Sequence, residues 1–272
     1  MQALAALIEK YYKKSDNSLE EKATDPSKPH QPLWLRVSFG VMLVFLTSAM
    51  VFVLSEPISR PKNISVSNVS SSSITLSWTT DAPDETKVTL SEANYSQYLP
   101  LFFYAASFDD RDDREDFKVK RNTHYVTLKN LKPGERYIAK IYSGMREVHT
   151  QKLVTGPVIN LPAPNLVYGK ILTETNAPAR DTLVYLRLKG KEGSSSALLS
   201  AMTDSKGSWS IETSNARTRN LSQSFNWKGI DYEILIVDSG EGRRFRATTL
   251  SGEDKPWPNI VLTASKSAEV KK

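Results

Sequence analysis

From Pro61 onward the apolar residues return at every second position, and that period decides what most of this chain can become. In "SSITLSWTT", Ile74, Leu76 and Trp78 alternate with Thr75, Ser77 and Thr79. Extended backbone sends such neighbours to opposite faces, so the first three share one side of a strand. "ETKVTLSE" repeats the pattern with Val88 and Leu90, "HYVTLKNL" with Val126 and Leu128, and "RYIAKIYSG" with Tyr137, Ala139 and Ile141. "VHTQKLVTG" closes the series. Short strands at this spacing, broken by Pro, Asp, Asn and Gly, predict an antiparallel sandwich.

The stretch "LKPGERY", residues 131–137, lies between two of these strands and follows the early Trp78 by about fifty residues. Leu131, Pro133 and Tyr137 form a Leu-x-Pro-x-x-x-Tyr pattern that resembles the corner of a fibronectin type III domain, with 61–156 as the expected span. The resemblance implies that Trp78 is the core tryptophan, that Leu131 tucks beneath the corner and that Tyr137 fills it. A phenol at such a place buries its ring while its hydroxyl bonds nearby backbone. Charged residues of the stretch are then turn decoration, not a site.

"PVINLPAPN" carries three prolines, and residues 157–164 read as a stiff linker. A second β region follows over 165–265. There Gly169 after a short apolar strand, Ala177-Pro178-Ala179, and "TDSKGSWSI" are similar to the carboxypeptidase regulatory-like domain, a small transthyretin-like sandwich. The resemblance implies a tight hairpin with Gly207 at positive φ and Trp209 in the core. It implies a structural or binding module without peptidase chemistry. The segment "NARTRNLSQSFNWKGID" departs from that family as an insertion, and 266–272 form a tail.

Upstream, Val37–Leu54 is an 18-residue run without charge, flanked by Trp34. At about 1.5 Å per residue it would reach roughly 27 Å, near a hydrocarbon core of about 30 Å. A transmembrane helix is therefore expected over 33–55. A buried core helix and a cleaved signal peptide compete with it, but the run exceeds a signal core and some 32 residues precede it. Lys22, Lys28 and Arg36 before the run, against Arg60 and Lys62 after it, place the N-terminus inside. This gives a cytoplasmic segment over 1–32, with Leu4, Leu7, Ile8 and Tyr11 at helical spacing, and extracytoplasmic β domains.

With no cysteine, disulfides, thiolate metal sites and a cysteine nucleophile are excluded, and an exported chain of this kind looks bacterial rather than animal. The 36 basic against 30 acidic residues are scattered, without the basic stripe that nucleic acid requires. The acidic run Asp109 to Asp116 lacks EF-hand spacing and is interrupted by Arg111 and Arg114, so it reads as a solvated mixed-charge loop. His30, His124 and His149 lack metal-ligand spacing, and no nucleophile elbow or phosphate loop occurs. The sequons at Asn63, Asn68, Asn94 and Asn220 are ascribed to chance.

The fold expected is thus mainly β: one transmembrane helix followed by two tandem antiparallel sandwiches. The function expected is non-catalytic: a membrane-anchored rigid stalk presents loops or an edge strand to a protein or surface polymer, without cofactor or metal. The alternative is a carbohydrate-binding or accessory module, for which Trp227 and Trp257 would serve as exposed platforms. An exposed Leu101-Phe102-Phe103-Tyr104 would be a partner patch. Ligand-binding residues are otherwise unassigned.

Overall fold

A computed structural model of the chain describes residues 38, 40–48, 58–93, 106–112, 119–190, 193–225, 231–237, 244–250 and 255–262. The chain divides into two compact units, Met1–Pro57 and Ile58–Lys272. In the first unit, Ser38 and residues 40–48 are helical. At about 1.5 Å per residue the continuous part covers roughly 14 Å, half of a hydrocarbon core. Among the described residues no helix is long and apolar enough to cross a membrane. This corrects the expected transmembrane helix over 33–55. Hydropathy was sufficient, but a span also needs about 20 residues of helix, and the described helix is too short. The expected helix around Leu4–Tyr11 lies outside the described residues.

Among the described residues the second unit begins with a sandwich of seven strands: β1 (Lys62–Ser67), β2 (Ile74–Asp84), β3 (Lys87–Glu92), β4 (Ala106–Ser107), β5 (Arg121–Leu128), β6 (Arg136–Ser143) and β7 (Arg146–Val154). One sheet has the order β1-β2-β5 and the other β4-β3-β6-β7. Alternation drives their packing. Ile74, Leu76, Trp78, Val126 and Leu128 meet Val88, Ala139, Ile141 and Leu153 in one apolar core. At the corner Leu131 and Tyr137 are buried, and the Lys132 N–H donates to Tyr137 Oη at 2.8 Å.

Seven further strands among the described residues build a second sandwich: β8 (Leu166–Thr173), β9 (Leu183–Lys189), β10 (Leu199–Met202), β11 (Ser208–Glu212), β12 (Asp231–Val237), β13 (Arg244–Leu250) and β14 (Ile260–Leu262). Their sheets run β10-β9-β12-β13 and β11-β8-β14. β14 lies parallel to β8, a departure from the fully antiparallel expectation. Val167, Ile171, Val184, Leu186, Trp209 and Ile234 are among the core residues. Gly207 has φ +71°, and a Cβ there would stand 2.4 Å from Ile171 O. Only glycine fits this hairpin. A 3-10 turn, Thr213–Asn215, leads into the insertion, whose Ala216 and Phe225 are buried.

The sandwiches are not held apart by the proline-rich stretch. The outer face of β2 and β5 lies against the second sandwich, so Thr75, Ser77 and Thr123 are buried although alternation marks Thr75 and Ser77 for the polar side. A stiff linker can also be a strap, and here residues 157–164 span two domains in direct contact.

Candidate functional site

Short hydroxyls make close sheet-to-sheet approach affordable where lysine or glutamate would not. β2 carries Thr75, Ser77 and Thr79 on its outer face, with no charge among them. Ser77 Oγ meets Tyr185 Oη of β9 at 2.9 Å, and Ser67 Oγ meets Ser200 Oγ of β10 at 2.7 Å. Tyr125 Oη of β5 donates to Ser200 O at 3.0 Å. Tyr125, Leu183 and Tyr185 form a small apolar cluster of their own, with Leu198 and Met202 packed against it. Burial raises the Tyr125 and Tyr185 hydroxyls above the usual phenol range, which keeps both neutral and able to donate.

One residue does more than the rest. Asn68, just past β1, donates its backbone N–H to Leu198 O at 3.0 Å. Its Oδ1 accepts the Ser200 N–H at 2.9 Å, while Nδ2 reaches Ser200 O at 3.0 Å and Tyr125 Oη at 3.0 Å.

A charged group closes one end of this joint. Asp109 is 2% exposed and accepts Arg111 Nε at 2.6 Å, Arg111 Nη2 at 2.8 Å and the Tyr125 N–H at 3.0 Å. Arg111 Nη1 continues to Asp181 Oδ1 of the second sandwich at 2.8 Å. Burial alone would raise the Asp109 carboxyl, but the Arg111 guanidinium and the backbone N–H groups of Tyr125 and Arg111 outweigh it and hold the group below its usual value. The expected solvated loop is therefore corrected at its start: Asp109 is buried and structural, and its oxygens are already filled. Residues 113–118 lie outside the described residues.

On the far side of the second sandwich, β8 exposes Leu166 and Tyr168, which are 44% and 40% accessible. With Lys170, Asp204, Ser210 and Trp257 they line a groove of about 900 Å³. Its floor depends on Gly169, since a Cβ there would stand 2.8 Å from Trp257 Cβ. Trp257 is 6% exposed and packs at a tilt on Trp209, ring centroids 6.4 Å apart. Trp209 Nε1 is buried without a hydrogen-bond partner.

His124 is buried beneath Trp78, the rings stacked at 4.9 Å, with Thr86 Oγ1 2.6 Å from Nδ1 and Thr80 Oγ1 3.1 Å from Nε2. Both nitrogens are held by hydroxyls, and burial lowers its pKa to about 4. It is a core group. His149 stands on β7 beside Gln151 and shares no cluster with it. No group of three or more His, Asp or Glu that could hold a metal occurs among the described residues. Trp257 offers no exposed platform. Trp227, Leu101–Tyr104, His30 and Asn94 lie outside the described residues. Asn63 and Asn220 are exposed, whereas Asn68 is built into the joint.

The fibronectin type III family model matches residues 59–153, the span of the first sandwich. Among solved structures, the FN1–FN3 domains of chicken CNTN1 are 11% identical, cover 71% of this chain and 66% of their own, and give a TM-score of 0.27. A two-domain fibronectin type III segment of chicken tenascin is 12% identical, with 70% and 97% covered and a TM-score of 0.23. No curated protein matches the sequence.

Proposed function

We propose that this chain is a non-catalytic binding protein in which the fibronectin type III domain serves as a rigid mount for the second sandwich and its groove. The observation that carries the reading is the buried joint: side chains of β2 and β5 are committed to the second sandwich, leaving Tyr168 and Leu166 on its opposite sheet open. A mount that fixes one face and frees the other suits presentation of a surface. The second sandwich, in which Gly207 makes the hairpin turn and Trp209 fills the core, is read as a carboxypeptidase regulatory-like domain. The partner is a protein, bound along β8, where Leu166 and Tyr168 share the groove with Lys170 and with Ser210 of β11.

A photo-crosslinking residue at Tyr168, compared with one at the exposed Met145 of the first domain, tests this in the native host. A protein adduct formed from position 168 and not from 145 supports the reading. Equal labelling, or none at 168, defeats it. An adduct that resists protease and yields to glycosidase would move the assignment to a surface polymer, the alternative that Tyr168 leaves open and Trp257, being buried, does not support.

A further inference from the structure

We propose that Asn68 is a latch, whose carboxamide stands in for a strand residue on the free edge of β10 and sets whether, and in which register, the two sandwiches dock. Among the described residues β10 has a sheet neighbour on one side only, β9. On its other side Ser200 offers an N–H and a C=O, and Asn68 meets both, through Oδ1 at 2.9 Å and Nδ2 at 3.0 Å. The Asn68 N–H adds a third bond, to Leu198 O. An exposed strand edge is a template that accepts any partner, and here it is closed by the neighbouring domain.

The backbone makes this possible. Asn68 has φ +49°, so the chain leaves β1 in the left-handed region and presents a side chain where a strand would present peptide. Asparagine tolerates that region, and its carboxamide, held close to the backbone, copies a peptide group's donor and acceptor. The other contacts across the joint are less selective. Ser67, Ser77, Tyr125 and Tyr185 contribute hydroxyls, which rotate to suit a shifted partner, and Asp181 is 40% exposed and open to water. A carboxamide bonded to both groups of one residue admits a single register. The inference concerns the joint alone and stands whatever the groove binds.

The test uses the full chain. Asn68→Gly keeps the φ of the wild type and deletes the carboxamide. Two rates are read: amide exchange at Ser200, and protease cleavage within 157–164. Both are expected to rise at least tenfold, while exchange at Val126 and Ile141 in the first core stays within twofold. Asn63→Gly, at a second left-handed asparagine that is exposed at the start of β1, is expected to change neither. Cleavage within twofold of wild type overturns the latch, even if Ser200 exchange rises, because the bond would then be local only. An equal effect of Asn63→Gly overturns it too, since backbone freedom alone would explain the result. Should Asn68→Gly lose the Val126 and Ile141 protection, Ser200→Trp opens the same contact from the second sandwich, and the same two rates decide.

Discussion

The inner face of the β1-β2-β5 sheet meets its neighbour through Ile74, Leu76, Trp78, Val126 and Leu128, whereas the outer face meets the second sandwich through Ser67, Thr75, Ser77, Thr123 and Tyr125. Both faces are buried, and opposite chemistry holds them. The inner contact gains from apolar area removed from water, which is non-directional and survives small shifts. The outer contact must satisfy each hydroxyl it buries, so its strength lies in geometry. One strand thus builds a domain core with one set of residues and a domain joint with the alternate set.

The comparison predicts that inner-face damage unfolds a domain and outer-face damage only loosens two domains. Trp78→Ala should give the largest effect. It removes a side chain 2% exposed and the ring on which His124 stacks. A loss of about 3–5 kcal/mol is expected, the range for emptying an aromatic from a core. Chemical denaturation measures it, and a loss below about 1 kcal/mol would mean that the inner face is not the dominant core.

His124 sharpens the contrast, because it is a titratable group on the inner side. Its folded pKa of about 4 lies below the unfolded value of 6.5, so the folded state binds fewer protons. Stability is therefore full above pH 6.5 and lost as pH falls through the window from 6.5 to 4. The slope expected is about 1.4 kcal/mol per pH unit, roughly 3 kcal/mol across the window. Asp109, held below its value of 3.8, releases its stabilisation only at still lower pH and does not share this window. Urea midpoints between pH 7 and 4 for the wild type and for His124→Gln check the assignment. An unchanged slope in the variant would remove it.

These residues also mark how far the sequence could be read. The inner face was legible because its period of two is a local property of consecutive residues, and the corner because Leu131, Pro133 and Tyr137 form a short fixed pattern. Gly207 and Trp209 were legible for the same reason. The joint was not, since alternation says which residues share a face and not what covers the other one. One trace of it existed: the outer face of β2 has hydroxyls and no charge over Thr75–Thr79, an unusual choice for a strand meant for water. Asp109 was misread because Arg111 was taken as an interruption of the acidic run, not as its ligand, and Asp181, which Arg111 also binds across the joint, is distant in sequence. The helix over 33–55 was overread because hydropathy reports preference for lipid and leaves helix length to be assumed.

The smallest effects come from single hydroxyls, and they separate the two faces most cleanly. Tyr137→Phe leaves the Lys132 N–H without its acceptor in the corner, and Tyr185→Phe leaves the fully buried Ser77 hydroxyl without its partner in the joint. Each should cost on the order of 1 kcal/mol. The first should appear as lower stability of the first sandwich, because the corner N–H belongs to that domain alone. The second should leave both domain stabilities in place and appear as faster cleavage within 157–164. Adding Ser77→Ala to Tyr185→Phe removes the stranded hydroxyl, and replacing both partners of a buried hydrogen bond is close to neutral. The double variant should therefore regain most of the resistance that Tyr185→Phe loses. If instead the two losses add, Ser77 and Tyr185 act separately, and the outer face would be held by the area around them rather than by their bond.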